Sequence, residues 1–154
     1  MRNILFILSI VLVINGCKKD TNPVESTTQP TLSVSTVIDS LQYMLTIPKA
    51  VFGIHDTLKA SLTALNLRAA PETLLVNIGN MPWTLKNDNG EVIMYGPRVI
   101  SKYIITEVIT SHQSTLIGAM GQPIADSSGN PVQVGSYVLS AGSFSNLSLS
   151  LSIQ

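Results

Sequence analysis

Cys17 is the chain's one cysteine, and it stands at a sharp boundary. Residues 4–14, ILFILSIVLVI, are almost wholly apolar, whereas Lys18-Lys19-Asp20 directly after the thiol are charged. A thiol is the best side-chain nucleophile for forming a thioether, so covalent attachment is the chemistry this position suits. Other reactive residue types do not assemble into a pattern. A nucleophilic triad needs serine, histidine and a carboxylate brought together, but His55 and His112 lie in no catalytic motif and read as surface or turn residues. Zinc requires three or four ligands at matched spacing, which two distant histidines do not supply. Asp126-Ser127-Ser128-Gly129-Asn130 is oxygen-rich but lacks the repeated acidic positions and distal glutamate of a calcium loop, so it reads as a turn. The glycines form no phosphate-binding fingerprint. The expectation is therefore no catalytic residue, no metal site and no cofactor.

The elements around Cys17 explain its position. Arg2 gives a positive start, residues 4–14 an apolar core and Asn15-Gly16 a small-residue end, the three parts of an export signal. The apolar run is 11 residues long, short of the roughly 20 that a spanning helix needs. Ile14-Asn15-Gly16-Cys17 resembles the lipobox of bacterial lipoproteins: an aliphatic residue, a tolerant position, Gly or Ala, then Cys. The resemblance implies diacylglyceryl transfer to Cys17, cleavage between Gly16 and Cys17, and acylation of the new amino group. Two or three acyl chains anchor stably, since each buried CH₂ contributes about 0.8 kcal/mol. An ordinary secretory signal is the alternative. Lys18, where enteric lipoproteins retained in the inner membrane carry Asp, points to the outer membrane, at its periplasmic face or the cell surface. The Lys/Asp patch reads either as a surface-export signal or as a solvated linker start.

Residues 1–16 are thus a signal peptide and 17–36 a lipidated cysteine with a tether. The tether sequence KKDTNPVESTTQPTLSVST has no aromatic residue and too little apolar surface to fold. Nineteen flexible residues reach about 24 Å r.m.s.. Residues 37–154 form the domain.

Within it, alternation dominates. LQYMLTI at 41–47 puts Leu41, Tyr43, Leu45 and Ile47 on one face, and TLKASLTALNL at 57–67 does the same with Leu58, Ala60, Leu62 and Ala64. TLLVNIG follows at 73–79. Asn89-Gly90 between WTLK and EVIMY signals a hairpin with a type I′ turn. Residues 99–110 are β-branched and give one or two strands; a loop through Pro123 and DSSGNP follows. Strands at 135–144 and 146–153 end the chain, with Leu147, Leu149, Leu151 and Ile153 inward. Trp83 reads as a core anchor. The class is all-β: about 7–9 antiparallel strands in a two-sheet sandwich. Formal net charge is zero, so nothing calls for nucleic acid.

Four segments and their spacing carry a further resemblance. YMLTIPKAVFGIHDTLKASLTALN, PETLLVN, WTLKNDNGEVIM, SGNPVQVGSYVLSAG and their overall spacing resemble the intracellular proteinase inhibitor (BsuPI) domain family, which implies an immunoglobulin-like sandwich. Asn66 falls at that family's characteristic asparagine, and Gly135 and Tyr137 fall on its G-x-P-x-x-x-G-x-Y segment. Gly90 and Gly135 suit positive φ, and Tyr137 suits a tyrosine corner. The chain departs from the pattern in three places: no Trp stands ahead of the GNP loop, where Met120 is the nearest bulky substitute; Ser111-His112-Gln113 replaces a Pro-Gly-Glu-type turn; and an export signal precedes a domain whose family is named intracellular. GPRVISK, at 96–102, offers Arg98 and Lys102 as an extended protease-contact loop, or as solvated cations on a connection. The expected function is a non-catalytic protein-binding module held at the cell envelope through acylated Cys17. Its partners would be the bilayer and a further protein, such as a protease. The alternative is a serine-proteinase inhibitor of the BsuPI type.

Overall fold

A computed structural model describes residues 30–77, 83–96, 104–142 and 147–154. Eleven strands occur there: β1 Leu32–Ile38, β2 Leu41–Ile47, β3 Val51–Phe52, β4 Thr57–Asn66, β5 Glu72–Asn77, β6 Trp83–Asn87, β7 Val92–Tyr95, β8 Ile104–Ile109, β9 Ser114–Pro123, β10 Gly135–Ala141 and β11 Ser148–Ile153. One sheet has the order β1-β2-β4-β9 and a second β3-β11-β10-β6-β7; β5 and β8 form a two-stranded ribbon. All pairs are antiparallel except β3 with β11.

The period-two pattern drives this arrangement. In β2 the inward residues are Leu41, Tyr43, Leu45 and Ile47; in β4 they are Leu58, Ala60, Leu62 and Ala64. Leu147, Leu149, Leu151 and Ile153 supply the facing sheet, with Leu85 and Leu139 beside them. Burying both inner faces against each other forms one apolar core, as in any sandwich. Pro48 ends β2 because it has no N–H for the ladder. The chain then crosses to the other sheet, where Ser152 N–H donates to the Ala50 carbonyl (2.9 Å) and Gln154 N–H to the Phe52 carbonyl (2.8 Å). The result is an all-β, immunoglobulin-like sandwich. Two hallmarks of that fold are present: Trp83 is buried on β6, and the Tyr137 hydroxyl donates to the Gln133 carbonyl at 2.7 Å, closing a tyrosine corner at the start of β10.

Four local expectations need correction. The described residues hold eleven strands rather than the seven to nine expected, because β1 has the composition of a tether, β3 lies among the turn residues of a loop and β9 carries such residues itself. The tether boundary moves: LSVSTVI alternates, and Leu32 and Val34 pack on the core, so the domain begins before residue 37. Two glycines and a terminal proline hid β9, yet it buries Ile117 and Met120 and absorbs an irregularity opposite Leu62/Thr63. Met120 thus fills core space.

The Asn89-Gly90 hairpin also differs. Only Gly90, at φ 80°, has positive φ there. Gly90 N–H donates to the Asn87 carbonyl (2.9 Å) and Asn87 N–H to the Glu91 carbonyl (3.0 Å). That is a three-residue loop, a type I turn ending in a bulge glycine, rather than type I′. The Asn87 side chain decides it: its Oδ1 accepts from Asn89 N–H and Glu91 N–H. Gly135 opens β10 without positive φ, whereas Gly129 has φ 84°.

Candidate functional site

The residues singled out as carrying chemistry or contact, Gly16, Cys17, Arg98 and Lys102, lie outside the described residues. The polar residues within the fold mostly hold the fold itself. Asn66, at the end of β4, is fully buried. Its amide nitrogen donates to the Ala70 carbonyl (2.8 Å) and the Ile109 carbonyl (2.9 Å), and its Oδ1 accepts from Arg68 N–H (2.8 Å). Two carbonyls need donors and one N–H needs an acceptor, and only an amide meets all three demands. Asn66 therefore ties β4 to the 67–71 loop and to the end of β8. Beside it, the Ser40 hydroxyl donates to Glu72 Oε1 at 2.8 Å, and Arg68 pairs with the same oxygen.

His55 and His112 are exposed and flank opposite ends of β4. Ten strand residues separate those ends by about 30 Å, so the two imidazoles share no site. His112 is a turn residue with φ 54°, and Gln113 N–H donates back to the Thr110 carbonyl (3.1 Å).

Lys49 and Asp56 form an ion pair across the crossover after β2. Lys49 Nζ also lies 5.0 Å from the centre of the Phe52 ring. The Lys49 hydrogen bond, then the Gly53 N–H at 2.9 Å, hold the Asp56 carboxyl below the usual carboxylate range. Asp126 is also held down, first by the Asn130 N–H (2.9 Å) and then by that of Ser128 (2.8 Å). The Asp126 carboxylate is thus taken up by its own loop, as the turn reading requires. Carboxyls that ionise so readily are poor general acids. Burial, then the nearby Asp88 carboxylate, raises the Tyr137 hydroxyl above its ordinary value, so it stays a hydrogen-bond donor at neutral pH. Among the described residues, no three His, Cys, Asp or Glu side chains gather to hold a metal.

Three surface grooves border these features. The largest, about 620 Å³ and mainly apolar, is lined by Thr31, Thr46, Pro48, Lys59 and Met120. A more polar one of about 400 Å³ lies between Asn87, Glu91, Asp126, Asn130 and Tyr137. Met94, Tyr95, Gln122 and Ser127 line a third of about 320 Å³. Sequence reasoning missed the Lys49–Asp56 pair, whose only trace is two opposite charges flanking AVFGIH. It also missed the need for Gly96, where a Cβ would lie 2.4 Å from Trp83 Cβ.

No protein-family model and no curated protein matches the chain. Among solved structures it is similar to part of the alkylpurine DNA glycosylase AlkC of Pseudomonas fluorescens, bound to DNA containing an abasic site analogue. That likeness has a TM-score of 0.41 at 15% identity and covers 70% of this chain and 28% of that one. It is also similar to part of the β-glucosidase EmGH1 of Erythrobacter marinus (TM-score 0.42, 14% identity, 80% of this chain and 16% of that one). A Listeria innocua β-glucosidase in complex with gluconolactone gives a TM-score of 0.42 at 9% identity, over 80% and 16% of the two chains. The chain spans well under a third of each, and likenesses this slight carry no argument about what it does.

Proposed function

We propose that this protein is a bacterial lipoprotein presenting a non-catalytic, immunoglobulin-like binding module at the cell envelope. The observation that carries the reading is the order of residues 1–17: a positive start, an apolar run of 11, Gly16 and then the chain's one cysteine. Acyl chains on Cys17 hold the module beside a bilayer, with the outer membrane favoured by Lys18. The domain's polar chemistry supports a non-catalytic role, because Asn66, Asp56, Asp126 and Tyr137 are each engaged in holding loops and strands. Edge strands and loops are then the contact surfaces.

Growth with an alkyne-tagged palmitate tests the anchor. The wild-type chain takes up label and Cys17→Ala does not; label retained by Cys17→Ala overturns the reading. Protease treatment of intact cells then separates the two faces, since a surface domain is digested and a periplasmic one is protected.

The second reading, inhibition of a serine proteinase, is favoured by the BsuPI-like segments that contain Asn66 and Tyr137. Titration of a subtilisin-like protease decides it. Stoichiometric inhibition at micromolar protein establishes inhibition, and full residual activity removes it.

A further inference from the structure

Edges of β-sheets expose unpaired N–H and C=O groups, and folded proteins protect them with charge, proline, bulges or brevity. Three of the four edges of the two large sheets are protected in this way. β3 has two residues; β7 has four and lies next to a register shift; β9 ends in Pro123 and carries an irregularity. β1 has none of these devices. Its seven residues, LSVSTVI, contain no charge and no proline, and they pair with β2 in unbroken register.

The hydrogen-bond parity of β1 follows from its turn. The two-residue loop Asp39-Ser40 closes on the Ile38–Leu41 pair, which in such a turn is hydrogen-bonded. Bonded and non-bonded pairs alternate along an antiparallel ladder. Leu32, Val34, Thr36 and Ile38 therefore bond to β2, while Ser33, Ser35 and Val37 direct their N–H and C=O groups away from the sheet. Among the described residues these outward groups have no backbone partner. The three residues that carry them are symmetric about Ser35.

We propose that β1 is a self-association edge: two copies of the chain pair their β1 strands antiparallel about a two-fold axis at Ser35, fusing two four-stranded sheets into one. A second copy fits this edge as the occupant, because it brings a strand of the same seven residues with no charge and no proline. Centred on Ser35, the pairing sets Ser35 opposite Ser35, Ser33 opposite Val37, Val34 opposite Thr36 and Leu32 opposite Ile38. Every pair keeps core-facing residues with core-facing residues, which a one-residue slip would undo. The three outward residues of each strand then exchange all their hydrogen bonds. Val37 and Ile38, 54% and 43% exposed in the single chain, gain neighbours across the axis. Identical copies usually meet with like charges, but β1 brings none, and Asp39 falls opposite Thr31 of the other copy. Such a closed, isologous contact is the commonest form of oligomer. A strand-edge contact is small, so the association is of the weak, concentration-dependent class. The inference is independent of the lipid anchor, since it uses only residues 31–39.

The test uses the full chain in detergent at several hundred micromolar, with Cys17→Ser so that any added cysteine is the one thiol. On mild oxidation, Ser35→Cys gives a disulfide-linked dimer, because hydrogen-bonded antiparallel pairs lie within bridging distance. Ser114→Cys, on the far edge of the same sheet, stays monomeric. Ser33→Cys cross-links poorly alone but well when mixed with Val37→Cys. In sedimentation equilibrium Ser35→Pro weakens association at least tenfold, while its melting temperature stays near that of the parent, since the N–H it removes serves no bond within the chain. A monomer at every concentration overturns the proposal. So does a dimer that cross-links equally at Ser114, or one that Ser35→Pro leaves intact.

Discussion

Asn66 is itself fully buried and makes three side-chain hydrogen bonds, the one to the Ile109 carbonyl in the interior and the other two at the part-buried 67–71 loop. Asn66→Ala leaves the buried Ile109 carbonyl unsatisfied, at a cost of about 1–3 kcal/mol, and also removes the two ties that hold the 67–71 loop. The expected loss, allowing for relaxation of the 67–71 loop, is about 3 kcal/mol in urea unfolding. Asn66→Asp gives no rescue, because a carboxylate has no donor for the carbonyls of Ala70 and Ile109. Acid sensitivity also belongs to single residues. Asp56 and Asp126 are held below the usual carboxylate range in the folded chain. A group whose pKa falls on folding stabilises when ionised, so its contribution is present above its unfolded value. That contribution fades as pH drops below about 4 and through the lower folded value. The urea midpoint should stay level from pH 7 to about 5 and then fall. In the Asp56→Asn, Asp126→Asn double variant the acid limb becomes shallower and stability at pH 7 is lower.

Strands meet their limits where backbones come closest. Gly96 follows β7, and its N–H donates to the Trp83 carbonyl at 2.7 Å. A methyl group added there overlaps the base of the Trp83 side chain, and a buried indole has little room to retreat. Gly96→Ala should cost about 1–3 kcal/mol by overpacking, seen as a lower denaturation midpoint with an unchanged m-value. β1 allows a second test on this scale. Leu32 and Val34 are half-buried against the core, each worth about 1 kcal/mol at that degree of burial. A chain that starts at residue 37 should be about 2–3 kcal/mol less stable than one that starts at residue 30. Equal stability would mean that β1 is no part of the cooperative unit.

For the whole molecule, the fold and the proposed anchor should be separable. The core is formed from both inner sheet faces and draws on nothing before β1 among the described residues. Replacing residues 1–17 with a cleavable, non-lipidated export signal should therefore move the protein from the membrane to the soluble fraction. Its melting temperature should remain within about 1–2 °C of the parent, because the thermal midpoint follows the free energy of the core. A large loss of stability on removal of the acylated terminus would make the lipid part of the fold.

Alternation alone determined the all-β class and the inward sets of β2, β4 and β11, since a side-chain period of two leaves one face to bury. It also made Trp83 and Tyr137 legible, because a large aromatic beside turn signals has few other places to go. The same local signal understated β9: glycines and Pro123 read as loop, yet two neighbouring burial sites held the segment extended. It understated β1 too, where serines on the outward face resembled a linker until Leu32 and Val34 found the core. Asn66 was legible as a position but not as a hub, since its partners at Ala70 and Ile109 are joined only when the strands assemble. The proposed processing site, Gly16 and Cys17, is legible in adjacent residues alone. The edge position of β1 among the described residues is decided only when the sheets take their order, for an edge depends on which strands pair beside it.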